Sequence, residues 1–170
     1  MATGQIKAGL TLGSFEPQDY ETAKALAEHK AFEVTSFELV ASRHWAHGES
    51  QDSSARGANF SGLRVTSKLQ SRSPIDFLSV LKEKFLNEAT LRVLESNGTD
   101  VKFTITLEAS GNYGAVRFAE CALGVDADGD LTETLTLTAP KITIIHDKST
   151  KQDTINMEEA GQERDSEASL

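Results

Sequence analysis

The chain has 170 residues, enough for one domain of ordinary size. It carries 26 acidic against 17 basic side chains, a net charge of −9, which is the wrong sign for gripping a phosphate backbone and excludes nucleic acid as an expected partner. No apolar run approaches the ~20 residues that span a bilayer, and the residues after Met1 carry no apolar core of a signal peptide. A cytoplasmic, soluble chain is expected, and its single cysteine, Cys121, allows no internal disulfide.

Taken in chain order, Ile6, Ala8, Leu10 and Leu12 read as an opening strand. Tyr20 to Lys30 has helical propensity in a polar stretch that a long loop explains equally well. From Phe32 to Val40 apolar residues occupy both phases, Phe32 and Val34 on one, Phe37 and Leu39 on the other. Coverage on both faces, as in a subunit interface, accounts for this, and so does a bulge that shifts the phase. The segment Gly48 to Gly57 is glycine-containing and charged, too polar to bury alone, and reads as a long loop between strands.

Phe60 to Gln70 alternates Leu63, Val65 and Leu69 with Arg64, Thr66, Lys68 and Gln70. Ser73 as N-cap, Pro74 at the first turn and Asp76 facing the positive end of the dipole predict a helix over Pro74 to Leu86. Leu91 to Leu94 and Val101 to Ala109 flank Asn97-Gly98, the signature of a type I′ hairpin. Phe118 to Leu123 reads as strand, with Cys121 expected as a buried, inert thiol. Leu131, Leu135 and Leu137 alternate with four threonines, and Glu133 alone breaks the apolar face. Across Ala139-Pro140 this strand is expected to pair with the one beginning at Lys141. Residues 151–170 hold two basic side chains against six acidic ones and few large apolar residues. They are expected as an acidic, disordered tail after a domain spanning residues 1–150.

These elements, without βαβ alternation, predict a mainly β fold, an antiparallel barrel or sandwich carrying a helix on one side. Chemistry is scarce. Asp126, Asp128 and Asp130 lie in an aspartate-glycine run, but an EF-hand needs glycine at its sixth and glutamate at its twelfth position, and Leu131 and Leu137 stand there. A polar turn is the preferred reading. Of the four histidines, His29, His44, His47 and His146, only His44 and His47 are close in sequence, without a carboxylate or cysteine at ligand spacing. No nucleophile elbow or phosphate-binding loop occurs. The expectation is a protein that is no enzyme and needs no cofactor or metal.

Three stretches then carry a resemblance. Gly62-Leu-Arg-Val-Thr-Ser-Lys-Leu-Gln-Ser-Arg-Ser-Pro74, Glu133-Thr-Leu-Thr-Leu-Thr-Ala-Pro-Lys-Ile-Thr-Ile144 and Glu28-His-Lys-Ala-Phe-Glu-Val-Thr-Ser-Phe37 are similar, in order and spacing, to motifs of the type VI secretion tube proteins, the haemolysin-coregulated protein (Hcp) family. The chain departs from the family pattern at Gly13-Ser-Phe-Glu16 and at Glu38-Leu-Val40. The resemblance covers about Ile6 to Asp147. It implies a small antiparallel β-barrel of two sheets with one flanking helix, assembling into hexameric rings stacked into an inner tube within a contractile sheath, with sheath, baseplate, spike and lumenal effector proteins as partners and export through the apparatus. It also implies a contact loop between rings or subunits, which places His44, Trp45, His47, Gly48, Glu49, Asp52 and Arg56 at that contact. The lumen-facing residues stay unassigned. Rival readings are the tail tube of a phage-like contractile particle, a monomeric ligand-binding barrel, and a hydrolase or calcium module using Asp126 to Asp130.

Overall fold

The computed structural model describes residues 7–13, 24–44, 56–69, 80, 82, 84–111, 114–146 and 152–156. The elements in chain order are β1 (Ala8–Leu12), α1 (Lys24–Glu28), β2 (Phe32–Val34), β3 (Ser36–His44), β4 (Arg56–Lys68), β5 (Phe85–Leu86), β6 (Glu88–Leu94), β7 (Val101–Glu108), β8 (Val116–Val125), β9 (Leu131–Thr138), β10 (Lys141–His146) and β11 (Gln152–Asn156). Strands arise where alternation lets one face leave water while the other keeps its polar groups solvated. β9 coincides with the expected Leu131 to Thr138.

Among the described residues all pairings are antiparallel. One sheet runs β11-β10-β7-β6-β1-β2 and the other β3-β4-β9-β8-β5. Leu10, Leu91, Ile105 and Leu107 of the first sheet meet Leu63, Leu135 and Leu137 of the second in one continuous core, all fully buried. Each such side chain contributes ~1.5–3 kcal/mol of hydrophobic stabilisation. Both sheets stay open among the described residues, so the expected barrel is realised as two facing layers. They are joined where the chain crosses at Thr35, at Asn87, between Glu108 and Val116, and at Ala139–Pro140.

The crossings correct several sequence-based expectations. The double phase of Phe32 to Val40 is a change of sheet. β2 buries Phe32 and Val34 in the first layer, and Thr35 bonds through both its amide and its hydroxyl to the Thr66 carbonyl (2.8 and 2.9 Å). β3 then packs Phe37 and Leu39 against the same core from the second layer. A two-faced strand at a subunit interface is not needed. β9 and β10 do not pair with each other: β9 lies between β4 and β8, and β10 between β7 and β11. Proline holds the residue before it extended, so Ala139-Pro140 sends the chain onward into the other sheet where a hairpin turn would have sent it back.

The β6–β7 hairpin forms as expected, but its turn is not type I′. Only Gly98 has positive φ (71°). Asn97 instead accepts the Thr99 and Asp100 amides through Oδ1 (3.0 and 3.2 Å), and the loop is closed by Glu95 N to Asp100 O (2.8 Å). Phe85 and Leu86, expected to end a helix, form β5. Val80 is helical and most of the span Pro74 to Leu86 lies outside the described residues. The described helix is α1, inside Tyr20 to Lys30. Finally, β11 pairs with β10 from Lys141↔Asn156 to Ile145↔Gln152, so sheet structure continues past the expected boundary at 150. The alternation of Thr154 with Ile155 suits an edge strand. Residues 157–170 lie outside the described residues.

Candidate assembly surfaces

Outside the core, each sheet has a polar face. On the second sheet, register places Glu38, Arg64 and Thr136 in one row, with Glu120 beside Thr136. Ser36, Thr66, Thr134 and Ala122 form the next. Arg64 Nη2 lies 3.7 Å from Glu120 Oε1, and the Thr66 and Thr134 hydroxyls are 3.3 Å apart. Both charged groups are half exposed, so the pair adds little stability. The threonines make this wall of β4 and β9 hydrophilic without strong net charge.

The first sheet's outer face is partly covered. A threonine row crosses it through Thr11, Thr90, Thr106 and Thr143, and Thr90 and Thr143 are buried. Lys141 Nζ is 2.9 Å from Glu108 Oε2. α1 lies over β1, where Leu26 is fully buried. A Cβ on Gly9 would come within 2.7 Å of Leu26 Cδ2 and 2.9 Å of Ala31 Cβ, so glycine is what lets the helix approach. The Arg92 guanidinium donates to Thr11 Oγ1 (3.1 Å), and that hydroxyl donates to the His29 carbonyl (3.0 Å). Burial, then the nearby Arg92 charge, lowers the His29 pKa against an opposing pull from Glu28.

Of the residues read from sequence as a contact loop, His44 and Arg56 form the last backbone pair of the β3–β4 hairpin. Trp45, His47, Gly48, Glu49 and Asp52 lie between them, outside the described residues. The hairpin therefore brings the two ends of residues 45–55 together. His29 lies in the turn after α1, and His146 ends β10. Cys121 is half-buried on β8 opposite Leu135, packed against the core. Asp126 behaves as turn chemistry: its Oδ1 accepts the amides of Asp128 (3.0 Å) and Asp130 (2.9 Å), Gly129 takes φ of 87°, and Asp130 pairs with Lys68 at 2.7 Å. Among the described residues no three His, Cys, Asp or Glu side chains are grouped to hold a metal, and no helix is long and apolar enough to cross a membrane.

One feature escaped the sequence pattern. The core-facing side of β4, β9 and β8 continues beyond the packed interior. Leu63 and Leu137 are 0% exposed, Ser67 and Glu133 are still buried, and then Leu69 (43%), Leu123 (47%), Leu131 (56%) and Val125 (62%) emerge together. Alternation assigns all of them to one face, but it does not say where the opposite layer ends.

No protein-family model and no curated protein matches this sequence. Solved structures do match. Hcp1 from Salmonella typhimurium superposes with a TM-score of 0.68 at 13% identity, covering 92% of this chain and 97% of that one. The fold is that of Hcp proteins. A second structure, of a type six secretion system protein, gives a TM-score of 0.66 at 15% identity over 88% of this chain and 91% of that one. The secreted protein Hcp3 from Pseudomonas aeruginosa gives 0.59 at 13% identity over 89% and 97%. The likeness extends over most of each chain, so the fold is shared despite low identity.

Proposed function

We propose that this chain is a structural tube subunit of a type VI secretion system, acting by assembly and not by catalysis. Six copies close into a ring, rings stack into the inner tube, and the lumen carries effector proteins. The observation that carries the reading is the near full-length Hcp fold. The β4–β9 wall of threonines and half-exposed charges supports it, since a wet conduit requires a solvated surface. Sheath, baseplate and spike proteins are the remaining partners in this reading, and the chain leaves the cell through the apparatus it helps to build. The loop from His44 to Arg56, including Trp45, His47, Gly48, Glu49 and Asp52, contacts a neighbouring subunit or ring.

The test is the mass of the purified protein in solution, by sedimentation velocity over a wide concentration range, followed by electron microscopy. A ring of six 18.4 kDa chains with a central hole is expected. A monomer at every concentration, together with absence from any filament in the native cell, overturns the reading.

A further inference from the structure

From the two ends of β8 we infer how copies join: the exposed apolar end formed by Leu69, Leu123, Val125 and Leu131 in one copy seats on the Phe85 edge of a second copy. This deepens the tube reading and rests on it, because it names the contact through which copies associate.

The first surface is built by register. Val125 stands opposite Leu131 and Leu123 opposite Glu133, while the Leu69 amide bonds to the Leu131 carbonyl (2.9 Å). The four side chains thus form one patch on the core-facing side of the second sheet, past the last residues the first sheet covers. Exposed apolar side chains clustered at a sheet end, and not scattered singly, mark interaction surfaces. Acidic groups rim the patch. Asp126, Asp128 and Asp130 against Lys68 leave two net negative charges.

The second surface lies at the other end of the same strand. Phe85 is 67% exposed and pairs with Arg117, while the alternate pair Leu86↔Val116 is buried. Phe85 and Arg117 therefore face away from the core. Lys82, Lys84 and Arg117 are exposed here and, counted with Glu83 in sequence, leave two net positive charges. From Arg117 to Val125 the strand spans about 26 Å at ~3.3 Å per residue.

The two surfaces are apolar at their centres, opposite in charge at their rims, and on opposite faces of the sheet at its two ends. A two-fold arrangement needs one patch that complements itself; an acidic patch facing its own copy would repel. Placed head to tail, the acidic end of one copy overlaps the basic end of the next, as in a lap joint. Such a contact is heterologous, the type that produces rings when the rotation closes and filaments when it does not. Complementary rims also speed association and disfavour the reversed docking.

The experiment uses the full chain and measures the concentration at half-assembly by sedimentation velocity. Val125→Thr with Leu131→Thr keeps strand-compatible side chains at exposed positions, and is expected to raise that concentration about tenfold or more with an unchanged circular-dichroism spectrum. Asp128→Lys and Lys84→Glu, both on exposed side chains, are each expected to weaken assembly, and their equimolar mixture to assemble better than either alone. Full assembly by the Thr double variant, or a mixture no better than its components, overturns the inference while the tube reading stands. A wild-type chain that never associates overturns both.

Discussion

At Gly62 the backbone has φ of 118°, and a Cβ there would lie 2.8 Å from the Leu137 carbonyl oxygen and from Thr136 Cγ2. The glycine sits inside β4 beside the register shift between Val40 and Ala41, where the strand bends around the core. Neither obstacle can rotate away: one is backbone of the paired strand and the other is a β-branched side chain on it. Gly62→Ala is therefore expected to cost about 2–4 kcal/mol, combining a disallowed φ with overpacking, read as a lower urea midpoint at constant slope. His29 gives a prediction of opposite character, tied to pH. Its folded-state pKa lies below the ordinary 6.5 because burial and Arg92 disfavour the charged ring. The unfolded chain thus takes up the proton first as pH falls. This contribution is complete above about pH 6.5, and it is lost as the pH falls from there through the lowered folded value. Thermal melts from pH 7.5 to 5 are expected to show a fall in stability that is smaller in His29→Gln.

At the scale of elements, the β8–β9 hairpin separates turn chemistry from metal chemistry. Asp126 accepts two backbone amides of its own turn, work that requires no cation. Asp126→Ala is expected to destabilise the hairpin by about 1 kcal/mol, the worth of such bonds at an exposed site. Calcium or a chelator is expected to leave the melting temperature of the wild-type chain unchanged; a shift with either would reinstate a metal-binding role for Asp126, Asp128 and Asp130. The same hairpin shows why some elements were legible in the sequence. β4, β7 and β9 have one buried face and one wet face, so period-2 alternation marks them directly. The crossings were not legible in the same way. Thr35, Asn87 and Pro140 each let the chain leave one sheet for the other, and local pattern carries no record of which sheet receives it. Hence Phe32 to Val40 reads locally as one strand with two apolar faces, and β9 as the partner of β10. β5 is two residues long, too short for any periodicity to distinguish it from the end of a helix.

The whole molecule depends on contacts that alternation cannot rank, because a pattern gives two faces without naming what lies against them. The motifs at Gly62 to Pro74 and Glu133 to Ile144 pointed to the Hcp fold, and the superposition on Hcp1 bears that out. Neither motif pointed to the exposed end at Leu123, Val125 and Leu131. Sequence and resemblance make the loop between His44 and Arg56 a contact segment, and the fold gives it a defined root in the last β3–β4 pair. Deleting Gly48 to Ser54 leaves Trp45, Ala46, His47 and Ala55 to link that pair, a length typical of hairpin connections. Closing a shorter loop changes the chain entropy by only about 1 kcal/mol, so the subunit is expected to melt close to the wild-type temperature. If residues 48–54 reach a neighbouring subunit or ring, the same deletion lowers the sedimenting mass or shortens the tubes seen by electron microscopy at a concentration where wild-type chains assemble. Retained stability with lost stacking assigns the loop to the interface; retained stability with unchanged stacking removes it from there and leaves the two ends of β8 to join the copies.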